Sequence, residues 1–291
     1  MFDILHPNFF ALGSAFLIAT ARIFYQKSLG LINPTLVVLI ANIISFFFAT
    51  GMFLFQDSYE HWPLKGILWF LLVGVFGSLL GRYLGLLSQR LIGASRSSIW
   101  MQTVLIWSSI LAVFFLNESI DFREAFGICL IMVGGILLVI DKNERKRNIS
   151  LIYYSVPILS ALSFAVTFVF RRYGFEYIPS STFGMSVSYF IATLIMGSIF
   201  ITNKIEIVSY KNNRGAFKNA FFGSVFNALA SFCFWMAVQN GKVVEVVPIG
   251  RLSVLIVILF SWFFLRKQEL ITFYVVIGGI LSVLGAFFIV S

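Results

Sequence analysis

The chain has 291 residues, of which 59% are hydrophobic and 11% charged, with 35 Phe and a mean hydropathy of +0.95, against roughly 45–50% apolar and about 25% charged in soluble domains. That balance leaves too little polar surface for a water-soluble fold and indicates a polytopic membrane protein. The net charge of +9 would suggest nucleic acid in a soluble chain; here it marks cytoplasmic loops, and no nucleic-acid partner is expected.

A helix needs about 20 mostly apolar residues to cross about 30 Å of hydrocarbon. Ten stretches qualify, roughly 8–29, 34–55, 66–88, 96–116, 122–140, 151–172, 179–202, 216–239, 244–265 and 271–290. Span 1 contains Ala19-Thr20-Ala21, but no Lys or Arg precedes its apolar run, so it is read as a span and not as a cleaved leader. It also carries Arg22, close enough to the span end at Gln26 to snorkel. Span 2 holds Asn42. On span 3, Ser78, Arg82, Gly85 and Gln89 recur at helical spacing as one polar stripe. Gly77, Gly81 and Gly85 have the small-x3-small form that lets helices approach closely.

Span 4 carries Ser98, Trp100, Gln102 and Ser109, and a basic cytoplasmic linker, 142–150, follows span 5. Span 6 presents Ser160, Ser163, Thr167 and Arg171 on one face; span 8 presents Asn227, Ser231 and Trp235; span 9 begins at Glu245 and contains Pro248 and Arg251. Cys129 and Cys233 sit in apolar runs and are expected in the core. Tyr153, Tyr154, Trp62 and Trp69 suit the aromatic belt at the membrane interface. No catalytic or metal-ligand motif is present, so neither an enzyme nor a cofactor is expected.

Orientation follows from the cations outside the spans. Most lie on the connectors after spans 1, 3, 5, 7 and 9, including Lys142, Arg145, Lys146 and Arg147; the other face has Lys65, Arg123, Arg171, Arg172 and Lys242. The richer face is predicted to be cytoplasmic, which puts both termini outside a cytoplasmic (inner) membrane.

A charge inside a bilayer costs about 2.5–3.5 kcal/mol on the insertion scale, so an intramembrane arginine signals a partner or a wet cavity. Arg82 lies eight residues before Arg90 and Arg251 eight after Val243, placing each about 12 Å inside the membrane. The two are predicted to bind substrate, with Gln102 and Asn227 orienting it, and Asn42, Ser78, Thr167, Trp100 and Trp235 completing the pocket. Glu245 is the one plausible coupling or counter-charge carboxylate, although six residues of helix put it on a different face from Arg251. With no acid in mid-span, uniport or exchange is expected rather than proton symport.

The chain repeats itself. Phe114-Phe115-Leu116, Glu118, Gly127 and Gly134 are answered by Phe263-Phe264-Leu265, Glu269, Gly278 and Gly285; Lys27 and Pro34 are answered by Arg172 and Pro179. Aligning the Phe-Phe-Leu triplets (263 − 114 = 149) places Gln102 opposite Arg251. Glu118 and Glu269 are expected to complement the N-terminal dipoles of the helices they open. The predicted fold class is therefore an all-α membrane protein of ten transmembrane helices, arranged as two inverted five-helix repeats, 1–141 and 151–291, since an odd number of spans per copy reverses the second.

This plan, with Glu118 and Glu269 opening spans 5 and 10 and Leu91-Ile92-Gly93-Ala94-Ser95-Arg96 leading into span 4, resembles the EamA-like branch of the drug/metabolite transporter superfamily over essentially the whole chain. The resemblance implies an exporter or exchanger of small metabolites, with a central cavity lined largely by spans 1, 3, 4, 6, 8 and 9. Many members carry Pro partway into spans 4 and 9, where this chain has Val104 and Ser253; Pro248 supplies a kink in span 9, and span 4 has none. The expected substrate is a small anionic or zwitterionic metabolite such as an amino acid or organic acid. A flippase of lipid headgroups or lipid-linked substrates is the alternative. Membrane lipids are expected partners, and the sequence is compatible with a monomer or a dimer.

Overall fold

The computed structural model describes residues 6–56, 62–93, 97, 100–137, 150–202, 213–264 and 273–290. All regular structure among them is helical: α1 (Pro7–Leu29), α2 (Pro34–Gln56), α3 (Leu64–Ile92), α4 (Met101–Leu116), α5 (Phe122–Leu137), α6 (Ser155–Tyr177), α7 (Ser181–Thr202), α8 (Arg214–Asn240), α9 (Val243–Gly250), α10 (Ser253–Phe264) and α11 (Phe273–Val290). Six of these, α1, α2, α3, α6, α7 and α8, are long and apolar enough to cross a membrane. Predicted spans 4, 5, 9 and 10 correspond to α4, α5, the broken pair α9–α10 and α11, which are shorter. Ser98, Glu269, the segment 94–96 and most of the 142–150 linker lie outside the described residues.

Local chemistry sets the boundaries. Proline opens α1 and α2, where its missing N–H costs nothing, and the Asn33 side chain accepts from Thr35 N at 3.0 Å. Glu124 accepts from Asp121 N at 2.8 Å to start α5. Asn117, in the left-handed region at φ 52°, ends α4.

One predicted boundary is corrected: span 6 continues past 172 to Tyr177. Arg171 and Arg172 looked like the polar end of an apolar run, yet both lie inside the helix. Arg171 turns into the bundle, and Arg172 donates to the carbonyls of Val238 and Gln239 at 3.2 Å, closing the C-terminus of α8. Cys129 is a second correction. It is exposed on α5, and Cys233 is half-buried, because an apolar run in a membrane helix has a lipid face as well as a core face.

The helices interleave. α1 packs along α8 as α3 packs along α6; α2 on α8 is matched by α7 on α3; α6 on α4 is matched by α1 on α9 and α10; α2–α7 and α5–α11 join equivalent helices. Each of these pairs takes one member from before the 142–150 linker and one from after it, and the pattern maps onto itself when the halves exchange. Glycines permit the closest approaches. A Cβ on Gly285 of α11 would lie 2.5 Å from the Gly127 carbonyl of α5, and one on Gly77 of α3 would lie 2.9 Å from the Thr167 side chain of α6. Gly127 and Gly285, one from each copy of the repeat, thus form a packing contact between the halves.

Glu118 makes a contact of the same kind. Its two carboxylate oxygens accept from Val243 N and Val244 N at 3.1 and 3.0 Å. It therefore caps α9 in the other half, where its own helix α5 was the expected partner.

Candidate functional site

Three helices depart from regular α geometry where they face the interior. In α3, the segment Gly74–Gly81 is wound as a π-helix, and Arg82 is the first residue beyond it. Such stretches recur at functional sites because wider turns loosen the backbone ladder. Hydroxyls of α6 serve two carbonyls here: Ser160 Oγ donates to Gly81 O at 2.7 Å and Ser163 Oγ to Phe76 O at 2.6 Å.

Span 9 breaks at Arg251 and Leu252. Pro248 lacks the N–H that would bond one turn back, and the chain tightens to three-residue bonds, Arg251 N to Pro248 O at 3.0 Å and Val254 N to Arg251 O at 3.1 Å. Span 4 also breaks, without proline, in a 3-10 turn at Met101–Thr103. The repeat offset of 149 carries 101–103 onto 250–252, so both halves interrupt the same span at the same place.

These interruptions surround a cavity of about 190 Å³. Arg22 of α1, Arg82 of α3, Arg171 of α6 and Arg251 at the span 9 break all line it, and no acidic side chain does among the described residues. The Arg82 guanidinium joins three helices: Nη1 donates to Asn42 Oδ1 of α2 at 3.1 Å, and Nη2 to Tyr189 Oη of α7 at 2.8 Å. With the Asn227 amide turned so that its oxygen faces the guanidinium, Arg82 also donates to α8 at 3.0 and 3.2 Å. Tyr189 Oη in turn donates to Ser231 Oγ at 2.8 Å. Every acceptor of Arg82 is neutral, so its charge is oriented but not cancelled.

Arg171 is held differently. Its guanidinium lies 4.1 Å from the Trp235 ring centre and 5.6 Å from that of Phe234. At 7% exposure its Nε and Nη1 have no hydrogen-bond partner among the described residues.

Of the residues predicted for the site, Arg82, Arg251, Asn227, Ser78 and Trp235 line this cavity, and Asn42 touches it through Arg82. Gln102, Trp100 and Thr167 do not line it. In the 3-10 turn it is Met101 that reaches the wall, within 3.4 Å of Arg22 Nη2, while Gln102 is buried with its Oε1 unpartnered. Trp100 packs on Tyr154, and Thr167 Oγ1 bonds back to Phe164 O. Glu245 lies 3.4 Å from Lys242 Nζ at the start of α9, so the structure pairs it with that lysine and not with Arg251.

The sequence reading missed Arg22, Arg171 and Tyr189 as site residues; Arg22 was expected to snorkel to the interface, whereas it lines the cavity. Arg171 was counted among the loop cations, though its place on the Ser160, Ser163, Thr167 face pointed inward; Tyr189 carried no signal beyond a polar group in mid-span.

Comparison with curated proteins gives no match. A solved structure described only as the crystal structure of a protein is similar in fold, with a TM-score of 0.72 at 14% identity, covering 95% of this chain and 98% of that one. The family model of the EamA-like transporter family matches twice, over residues 6–140 and 151–291. The two matches fall on the two halves that interleave around the arginine-lined cavity, and the chain belongs to the EamA-like transporter family.

Proposed function

We propose that this transporter carries a small anionic or zwitterionic metabolite, such as an amino acid or organic acid, through the cavity between its halves. The observation that carries the reading is the cavity itself, with four guanidiniums and no acidic residue among the described lining. At about 2.5–3.5 kcal/mol per intramembrane charge, four arginines cost on the order of 10 kcal/mol. A hydrated cavity that receives anions offsets that cost.

Two halves in inverted orientation, forming ten crossings of the cytoplasmic membrane with both termini outside, would give two near-equivalent packings, one open to each side. The described lining holds no carboxylate that could serve as a relay for proton symport, which favours export or exchange. Counterflow in proteoliposomes with amino acids, organic acids and phosphate esters tests this reading. Arg82→Ala is expected to abolish transport while the protein still inserts and purifies as the same species. Undiminished transport in that variant refutes the role of the cavity.

A further inference from the structure

We propose that the cavity selects a compact dianion, and that Arg171 is the residue that recognises its second negative charge. This rests on the carrier reading above and narrows it. Arg82 is fixed by Asn42, Tyr189 and Asn227, so it keeps position and charge without a ligand. Arg171 is held against aromatic faces. Trp235, Phe234 and Phe168 lie 4.1, 5.6 and 5.9 Å from its guanidinium, and a ring face attracts the charge without accepting the in-plane N–H bonds.

Arg171 makes no hydrogen bond or ion pair among the described residues, and two of its nitrogens are buried without an acceptor. A buried donor left in this state is costly unless something supplies the acceptor. The cavity it lines is where an acceptor can arrive.

Charge balance gives the class of ligand. Arg82 and Arg171 meet no carboxylate in the described lining. A monoanion satisfies one of these two guanidiniums and leaves the other without a counter-charge. A zwitterion adds an ammonium to a site already crowded with cations. A dianion compensates Arg82 and Arg171 together through charge-assisted bonds. The volume of about 190 Å³, below the roughly 300–1,000 Å³ of drug-sized sites, suits a ligand of a few carbons. Short dicarboxylates and small phosphate monoesters share this chemistry.

The test is thermal unfolding of the purified full chain, titrated at constant ionic strength with succinate, glycerol 3-phosphate, acetate and alanine. At least one of the two dianions is expected to stabilise the protein saturably and to bind at least about tenfold tighter than acetate or alanine, a factor of about 1.4 kcal/mol. Succinate alone points to dicarboxylates, and glycerol 3-phosphate alone to phosphate esters. Arg171→Met is expected to erase the preference, and Arg171→Lys to keep part of it. The empty Arg171→Met protein should unfold no earlier than its parent, since a merely structural arginine would lower that temperature.

Acetate or alanine binding as tightly as both dianions overturns the proposal, as does an intact preference in Arg171→Met. Should Arg171→Met not fold, the ligand series on the unaltered protein still decides. Tight alanine binding that depends on Arg82 would remove the dianion and leave the carrier reading standing; no stabilisation by any of the four probes would count against both.

Discussion

Arg82 is positioned by helices that are distant in sequence. Asn42, Tyr189 and Asn227 lie on α2, α7 and α8, and a planar fork of donors reaches all three. A lysine ammonium has the same charge but not that geometry. Arg82→Lys is therefore expected to lower the transport rate by at least about tenfold, the worth of one charged hydrogen bond, with little change in unfolding temperature. Proteoliposome counterflow beside a melting curve measures both. Arg82, Arg251 and Asn227 were legible in the sequence because a charge or amide deep in an apolar run has few places to go. Gln102 was legible as polar but not as to where it points, since that depends on a 3-10 turn that no proline announces. Arg171 was misplaced because two adjacent arginines look alike in sequence, and only packing sends one inward and the other to the carbonyls of α8.

The elements that matter most are the irregular ones. The short helix α9 is held at its start by Glu118 and released at its end by Pro248. Glu118→Ala leaves two backbone N–H groups of α9 without their acceptor and is expected to cost about 1–2 kcal/mol of stability, read as a lower melting temperature. Pro248→Ala restores an N–H and straightens the span; the expected result is an unchanged or higher melting temperature with slower counterflow. Gly285→Leu drives a side chain into the Gly127 carbonyl, and a loss of about 1–3 kcal/mol should appear as reduced yield of folded protein. Helix boundaries were largely legible, since hydropathy sets them. The π-helix in α3 was not, because it is stabilised by Ser160 and Ser163 of α6, far away in sequence.

At the scale of the whole molecule, the halves are legible as homologous but not as interleaved. The repeated Glu and Gly residues indicated two five-helix repeats; the structure adds that the main helix pairs, from α1–α8 to α5–α11, cross between the halves. Neither half holds its own core, so 1–141 and 151–291 produced as separate chains are expected to purify together when co-expressed and to aggregate when expressed singly. On the proposed carrier reading, opening one side slides mixed pairs against one another rather than rocking one half on the other. On the proposed reading a single arginine-lined cavity meets both faces of the membrane in turn. Ser231, which lines it beside Tyr189, is a direct reporter. With Cys129 and Cys233 changed to alanine and Ser231→Cys introduced, labelling by a membrane-impermeant thiol reagent is measured in right-side-out and inverted vesicles. Labelling from both faces, slowed by a transported anion, is the expected result; labelling from one face only, unaffected by any anion, contradicts alternating access through this cavity.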